Sequence, residues 1–479
     1  MFEQPHKRQE FLQAVKAGRI NAQLLEKALA SYQSFADADL NEVLQLMQLP
    51  AAKKFAAALI SVNQDPEKLG KLMQMFARER RPEVEAELAA AIALCKSDAI
   101  FTEIAKMINN KDPNHRKKAL KLLIKQEKGM QQRELVLALM NDPQPPIAEA
   151  MLKQVIASGA KGYQGQLRHM AVVGADSIAV LCLKALLNQP SMKNVPVFIH
   201  ALATQQGEIA AALSQALGRH MQEAPEAVLE EIILAIGSSD PKVGAAALKM
   251  FVGMPDLKEA TRRLLLFADS VSPLVRDDIF RLMGTVGDTF VPIVLALVQE
   301  QPEQAVRIQA MNLAKIMKNQ KLGPLFLQEL KNPDWMVRYS AMQVLSAMKS
   351  PQALPILVEF LNQDESSMAA IQALDRYGDM RLAKPFFQKL TTQSNESEQL
   401  ALLDALLNLG DPRFIGHLSK FLDSPAVRGK AVKRCAEVII ELGKRHGVAV
   451  PEKVIALNDQ LTEKKLEDLP DLGLKLSSD

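Results

Sequence analysis

Aromatic side chains are scarce in this sequence: they make up 5% of its 479 residues, and Trp335 is the single tryptophan. Cysteine is also rare. Cys95, Cys182 and Cys435 are an odd number and lie far apart, so a disulfide framework is not expected and a reducing compartment is. Strand-length runs of β-branched residues are few, whereas the helix formers Ala, Leu, Met, Gln, Lys and Glu are plentiful. Together these features favour an all-α protein.

Strong charge and long apolar runs are missing as well. The formal net charge is +3, which by itself gives no reason to expect nucleic acid or an anionic membrane as a partner. No uninterrupted apolar run of about 18 residues occurs, and the first residues, MFEQPHKRQEF, lack the apolar segment of a secretory signal. We therefore expect a cytoplasmic protein without membrane attachment.

Motifs that carry chemistry are not found. The phosphate-loop, dinucleotide, nucleophile-elbow and zinc patterns GxxxxGK[ST], GxGxxG, GxSxG, HExxH and CxxC do not occur. No two of the seven histidines lie within one helical turn of each other, and none is followed by Glu. Carboxylate pairs such as Asp277 and Asp278 are adjacent in sequence, so on a helix they point about 100° apart and do not converge. We predict no catalytic residues, no cofactor and no metal site.

A repeat is present instead. In residues 332–359 an Asn-Pro-Asp turn leads into an amphipathic helix from Trp335, a break falls at Ser350 and Pro351, and a second helix begins near Ala353. The position of Arg338 recurs every 30 to 34 residues along most of the chain. The anchor positions are Lys54, Glu85, Arg116, Ala148, Ala179, Ala210, Gly244, Arg276, Arg307, Arg338, Met368, Glu398 and Arg428. Such a period is typical of stacked helix pairs.

The residue three positions after each anchor tests this register, because it was not used to choose it. All thirteen are apolar and many are alanine, which allows two helices to cross closely. They are Ala57, Leu88, Ala119, Met151, Cys182, Leu213, Ala247, Ile279, Ala310, Ala341, Ile371, Ala401 and Ala431. We therefore expect this column to be buried between helices.

The turn and second helix carry a family resemblance. The segments NPDWMVRYSAMQVL, VSPLVRDDIFRLMG, EQPEQAVRIQAMNLAKI and DSPAVRGKAVKRCAEVI resemble the HEAT repeat in its short bacterial variety. The resemblance covers about residues 40–443 and implies a right-handed α-solenoid of about thirteen helix pairs, whose second helices line a concave, partner-binding side. It also implies that the turn Asp and the anchor Arg hydrogen-bond along the stack. The pattern lapses at several anchors, so we expect that polar ladder to be discontinuous; these anchors are Ala148, Ala179, Ala210, Gly244, Met368 and Glu398.

We predict that the repeat array covers residues 41–443. An N-terminal helical cap over residues 1–40 precedes it, and a C-terminal capping helix and tail over residues 444–479 follow it. Open arrays need such caps to prevent end-to-end association. The step from Ala210 to Gly244 is the longest, at 34 residues, and its excess falls in residues 217–227. That longer connector predicts a change of curvature or a division of the stack; the alternative is a solvated loop without further effect.

Two groups of residues are candidate partner contacts. Lys117, Lys121 and Lys125 recur every four residues on one predicted second helix, with Arg116, Lys118 and Lys128 beside them. This face is either simply solvated or binds an acidic protein; nucleic acid is less favoured, because Glu85 and Glu149 interrupt the charge on the neighbouring helices. Trp335, Arg338 and Tyr339 share a second face and are the residue types most enriched at interface hot spots, although packing on the neighbouring turn is the alternative.

These observations predict a non-catalytic scaffold or adaptor that binds a protein partner along the second helices. An enzyme on the same fold is the alternative, for which HEAT-like DNA glycosylases and bilin lyases are the examples. A glycosylase would be expected to show a continuous basic concavity with several aromatic residues, which this sequence lacks. A regulatory subunit or a homo-oligomer differs from the scaffold only in its partner, and the sequence leaves the oligomeric state open.

Overall fold

A computed structural model describes the chain from residue 4 to residue 463, apart from residues 36–45, 47–48, 50–51, 63–65, 94, 96, 301–302, 364 and 428. The chain divides into two units, Met1–Glu223 and Ala224–Asp479. The described part is helical and contains no β-strand. Each unit is built from helix pairs, as the repeat predicted.

The first unit contains thirteen described α-helices. They are α1 (Pro5–Lys16), α2 (Ala22–Ala30), α3 (Lys53–Val62), α4 (Pro66–Arg78), α5 (Pro82–Ile92), α6 (Ala99–Ile108), α7 (Pro113–Lys125), α8 (Arg133–Met140), α9 (Pro145–Ala157), α10 (Gln164–Val173), α11 (Asp176–Leu187), α12 (Val195–Leu202) and α13 (Gly207–Glu223). From α3 onward the odd-numbered helices carry the anchors and are the second helices of their pairs.

The second unit contains fifteen described α-helices. They are α14 (Pro225–Ile236), α15 (Pro241–Val252), α16 (Leu257–Ser270), α17 (Pro273–Gly284), α18 (Gly287–Gln299), α19 (Gln304–Met317), α20 (Gly323–Glu329), α21 (Trp335–Met348), α22 (Ala353–Leu361), α23 (Ser367–Asp375), α24 (Ala383–Thr392), α25 (Glu396–Leu409), α26 (Phe414–Leu422), α27 (Lys430–His446) and α28 (Glu452–Glu463). The odd-numbered helices again carry the anchors.

The turns before the second helices start those helices. Asp112, Asp240 and Asp334 each accept a hydrogen bond from a backbone N–H two residues later, which satisfies one of the free donors at a helix N-terminus. Pro113 and Pro241 occupy the first helical position, where proline costs no hydrogen bond. These residues explain why a turn of Asp and Pro marks the start of these helices.

The anchors lie where the register predicted. Twelve of them fall within the first four residues of a second helix, and Arg428 lies outside the described residues. Of the thirteen residues in the apolar column, eleven are buried, Ala401 is half-buried, and the side chain of Ala57 is not described. Within each unit, first helices pack on the second helices that follow them, and second helices pack on one another in sequence. The column is therefore the contact between neighbouring pairs.

Polar side chains also join neighbouring pairs, and they do so at helix C-termini. The Gln126 amide donates to the Ile92 carbonyl (3.0 Å), and the Ser346 hydroxyl donates to the Ala373 carbonyl (2.6 Å). Tyr377 donates to the Leu345 and Ser350 carbonyls at 3.3 and 3.0 Å, and burial raises the pKa of its phenol to about 12. The Ile92, Leu345 and Ser350 carbonyls also accept a backbone N–H, so these side chains add a second hydrogen bond to carbonyls near helix ends and join one pair to the next.

The segment over residues 217–227 differs from our prediction of a longer connector. The additional residues lengthen helix α13, which has 17 residues and ends at Glu223, and only Ala224 separates it from α14. The helix continues because no proline interrupts it before Pro225, which disfavours helical geometry in the residue before it. The division between the two units falls here. The change of curvature stays a prediction.

The helices at the two ends agree with the sequence. Helices α1 and α2 lie within residues 1–40, for which a helical cap was predicted, and Phe11, Leu12 and Val15 are buried. Helix α28 lies within residues 444–479, for which a capping helix and tail were predicted, and residues 464–479 lie outside the described residues. Their roles as caps stay predictions.

No single helix among those described combines the length and apolar composition needed to cross a membrane. One pair, α17 and α18, passes on length and composition when taken together, but it is bent by 114°. Buried core helices pass the same test, and Phe280, Phe290 and Val294 of this pair are fully buried in the protein.

Candidate partner-binding surface

The structure brings Trp335, Arg338 and Tyr339 together at the start of α21. The two ring centroids lie 6.1 Å apart at an interplanar angle of 43°, and the guanidinium carbon of Arg338 lies 5.5 Å from the Trp335 ring centroid. One guanidinium nitrogen donates to the Asn332 and Pro333 carbonyls at 2.9 and 2.8 Å. All three side chains are partly exposed. The result is a restrained aromatic and cationic cluster on the protein surface, which we call the α21 cluster.

The α21 cluster follows from helical spacing and from the turn before it. Residues three and four apart lie on one helix face, so Trp335 meets both of its partners there. The bonds from Arg338 to its own turn limit the freedom of the guanidinium, and a cation above an aromatic face is itself favourable. Side chains that are already restrained lose less conformational entropy when they bind a partner. Its predicted role in binding stays a prediction.

The predicted lysine face is only partly a free surface. Lys117 and Lys125 are exposed. Lys121 donates a hydrogen bond of 2.5 Å to Glu85, which lies on the neighbouring second helix α5. Burial alone would raise the pKa of Glu85, but the charges of Lys121 and Lys118 outweigh it and hold that pKa below its usual value. The glutamate that we expected to interrupt the positive charge therefore does so through a direct ion pair.

Lys118 does not belong to that face, although the sequence places it beside the other lysines. Its side chain is 10% exposed, and its ammonium donates to the Phe76, Ala77 and Glu79 carbonyls at 2.9, 2.9 and 2.5 Å. Those carbonyls lie at the C-terminus of α4, in another repeat. Lys118 therefore binds the negative end of a neighbouring helix dipole.

The Arg116 side chain likewise makes its contacts within the chain, whereas we expected it to contact a partner. It donates to both oxygens of Asp142 at 2.7 and 3.1 Å and to the Asn110 and Lys111 carbonyls. The Asp142 carboxylate raises the pKa of the guanidinium. This pair joins an anchor Arg to the next turn, as the family resemblance implied. The expected lysine face is thus reduced to Lys117, Lys121 and Lys125.

Arg307 uses a variant of the same contact. Its guanidinium donates to Glu329 at 2.6 Å, with both side chains about nine-tenths buried. Here a glutamate at the end of the following first helix α20 replaces the turn aspartate, so the sequence pattern alone did not identify the partner. The polar ladder is therefore built from differing pairs.

A second group of cations lies on successive second helices of the second unit, and sequence reasoning missed it. Arg276 is on α17, Lys315 is on α19, and Arg376 directly follows the last residue of α23. Gln343 on the intervening helix α21 accepts a hydrogen bond from Arg376. Burial and the charge of Arg376 lower the pKa of Lys315, with a smaller effect from Arg276, while Asp277 acts in the opposite direction. Lys315 and Arg376 both lie eight residues after their anchors, so examining that column would have found them.

A surface cleft of about 610 Å³ lies between α4 and α6. Lys71, Arg78, Glu103, Lys106 and His115 are among the residues that line it. Glu103 accepts a hydrogen bond from Lys106 at 2.6 Å, so its carboxylate is already paired. The described cleft therefore brings together no nucleophile with a base and no pair of carboxylates.

Other reactive groups are enclosed by the fold. Burial raises the pKa of the Cys182 and Cys435 thiols to about 12, which leaves little thiolate for nucleophilic attack. In the part of the chain that the structure describes, no three His, Cys, Asp or Glu side chains are placed to hold a metal ion. The surface features suited to binding are therefore the α21 cluster, the three lysines and the cations on α17 to α23.

Comparison with known proteins supports the fold. Residues 291–375, which include α19 to α23, match the family model described as HEAT repeats. This match confirms the resemblance in that stretch, and the helices confirm the all-α fold; the number of repeats stays a prediction. No curated protein matches the chain.

Solved structures of Kap121p are similar to this chain over 96% of its length. The structure of Kap121p has a TM-score of 0.39 and 14% identity, that of Kap121p bound to Pho4p has 0.38 and 15%, and that of Kap121p bound to Nup53p has 0.39 and 15%. The chain spans 56% of the length of each of these proteins.

Proposed function

We propose that this chain is a non-catalytic scaffold or adaptor that holds a protein partner along its second helices. The α21 cluster carries the proposal. It presents tryptophan, tyrosine and arginine together, partly exposed and held in place by contacts within the chain. Large aromatic side chains that are already ordered provide contact area with little loss of entropy, and the same residue types dominate interface hot spots.

The titrating groups favour a scaffold over an enzyme. Where the pKa of a carboxylate is lowered, as in Glu85 and Asp411, the cause is an ion pair within the fold that offsets the effect of burial. Active sites instead shift the pKa of groups that face a substrate cleft. This pattern is typical of charges used for structure.

Binding would proceed by contacts spread over several second helices, with the α21 cluster as the centre. Truncating a hot-spot residue of this type typically costs about 2 kcal/mol or more in binding free energy. Trp335 is the residue of the cluster with the largest contact area. The exposed Lys117 and Lys125 would add contacts in the first unit, where the effect of a surface charge is mainly on the rate of association.

Site-specific photo-crosslinking tests the proposal in the native host. A benzoylphenylalanine at position 335 is expected to capture one defined protein. The same group at position 234 is the matched control, because Leu234 is 57% exposed but lies on the first helix α14. The purified partner should then bind the Trp335→Ala variant at least ~30-fold more weakly, the equivalent of about 2 kcal/mol.

The Leu234→Ala variant should bind that partner as the native chain does. Equal crosslinking at positions 234 and 335, or a partner whose affinity is insensitive to Trp335→Ala, would contradict the proposed surface. A charge reversal at Lys117 should mainly slow association if the lysine face takes part, and an unchanged rate would remove that face from the proposal.

A further inference from the structure

Four donor side chains of the second unit interact in a series: three lie on successive second helices, and the fourth, Arg376, directly follows α23. Arg376 donates to the Gln343 side-chain oxygen on α21. Arg376 and Arg276 both lie close enough to Lys315 on α19 to interact with it electrostatically. Helices α17, α19, α21 and α23 pack on one another in that order. We call Arg276, Lys315, Gln343 and Arg376 the inner donor cluster.

The side-chain amide of Gln343 is buried, and only its oxygen has a hydrogen-bond partner within the described residues. The side chain is 5% exposed, and its oxygen is used by Arg376, which defines the orientation of the amide. The amide nitrogen then has no hydrogen-bond partner among the described residues. Oxygen and nitrogen belong to one small group, so the unpaired N–H donors lie beside Arg376. Since buried donors are normally paired, this N–H group is left for an acceptor that the described residues do not supply.

The surrounding charges point to an anionic acceptor. Within the described residues, no hydrogen bond or ion pair is made by the Lys315 ammonium or the Arg276 guanidinium to a side chain. The opposing negative charge comes from Asp277, which raises the pKa of Lys315 and whose side chain is exposed. The lowered pKa of Lys315 has burial as its main cause, followed by the nearby Arg376. An incoming negative charge would relieve the repulsion among these cations.

We propose that the inner donor cluster binds an acidic, carboxylate-bearing segment of a protein partner. This inference rests on the proposed function, and it names a second contact site and the chemistry that the site recognises. Arginine forks fit carboxylates with two parallel hydrogen bonds, and the buried amide nitrogen supplies a directional donor between the cations. The cluster lies on the same row of second helices as the α21 cluster.

The extent of the positive surface favours a short peptide over a nucleic acid. Acidic side chains lie along the same second helices: Asp277 on α17, Asp375 on α23 and Asp404 on α25. The last two are bound by Asn408 and Arg434, respectively. A phosphate backbone has continuous negative charge and would meet these groups, whereas a short segment need not. Nucleic-acid grooves also add aromatic stacking, which the inner donor cluster does not offer.

Fluorescence anisotropy with the purified full chain tests the site directly. The probe is a labelled polyglutamate peptide of about eight residues, which in extended form spans three helix steps of about 8–10 Å. Lys315→Gln and Arg376→Gln should each weaken binding about tenfold, since each removes a charged hydrogen bond. Gln343→Met, which keeps the volume but removes the donor, should weaken it about fivefold.

Lys384→Gln is the matched control for the lysine change, because Lys384 is exposed on the first helix α24. It should leave binding unchanged, and a polyglutamine peptide should not bind. Loss of binding in the control equal to that in Lys315→Gln would overturn the assignment, as would unchanged binding in all three cluster variants. Tighter binding of an oligothymidine, or equal competition by inorganic phosphate, would also overturn it.

The partner captured at position 335 separates the two proposals. If Trp335→Ala weakens that partner and the three cluster variants do not, the inner donor cluster is not its site and the scaffold function stands. If the cluster variants lose polyglutamate binding while no protein is captured at position 335, the proposed function fails and the anionic site remains. Thermal unfolding of each variant, expected within a few degrees of the native chain, shows that the fold is intact.

Discussion

Lys118 offers the sharpest test of how the repeats are held together. Replacing it by Met keeps the length of the side chain and its contact with the Phe76 ring, which lies 5.5 Å from the ammonium. The change removes the charge and the hydrogen bonds to the Phe76, Ala77 and Glu79 carbonyls. We expect the junction between α4 and α7 to lose stability.

The size of the loss follows from these contacts. A hydrogen bond to a charged group contributes about 1.5–3 kcal/mol, and a cation at a partly buried helix C-terminus contributes up to about 2 kcal/mol. The three bonds share one ammonium, and water can replace some of them at the end of a helix, so their contributions do not add fully. Lys118→Met should therefore destabilise this junction by about 3 kcal/mol.

The neighbouring residue provides the control. Lys117 lies on the same helix but is exposed, so Lys117→Met should change stability by no more than about 0.5 kcal/mol. Urea unfolding gives the overall loss, and hydrogen exchange locates it, because amides of α4 and α5 should exchange about 100-fold faster in Lys118→Met only. Equal unfolding curves and equal exchange in the two variants would show that the ammonium contributes nothing that water cannot supply.

Two further predictions concern single groups. Tyr377→Phe should cost about 1 kcal/mol of unfolding free energy, because the buried hydroxyl no longer bonds two carbonyls that keep only their backbone donors, whereas Tyr339→Phe should cost little; equal losses in urea unfolding would refute this. Polyglutamate binding should weaken as pH rises through the lowered pKa of Lys315, since an anion prefers the charged amine, and should do so at lower pH than an ordinary lysine implies. Arg276, Arg376 and Asp277 are the charged groups that act on this amine, and a Lys315→Arg variant, whose guanidinium keeps its charge, should show no decline.

The sequence predicted the fold well because helix pairing depends on local pattern. Residues near one another in the chain specify the turn at Asp334, the helix start at Trp335 and the apolar column, and each lies where expected. The α21 cluster was also predicted correctly as a group, since residues at spacings of three and four share a face on any helix.

The roles of individual cations were less predictable. Arg116, Lys117 and Lys118 are neighbours of similar chemistry, yet each has a different role. Arg116 binds Asp142, Lys117 faces solvent, and Lys118 donates to carbonyls at the C-terminus of a helix in another repeat. Their order in the sequence does not distinguish these roles, because successive residues of a helix point about 100° apart and therefore face different parts of the structure. The continuation of α13 over residues 217–223 was missed for a related reason: extra residues in a period can lengthen a helix or a loop.

The sequence alone determined that this protein is a series of helix pairs in contact through small and apolar residues, because the period and the buried column are properties of the chain order. Only the tertiary structure decided which polar groups meet. Lys118 and the Phe76 carbonyl are 42 residues apart, and Gln343 and Arg376 are 33 apart. Such contacts depend on the relative placement of separate helices, and hydrogen bonds form only within a few tenths of an ångström of their preferred distance.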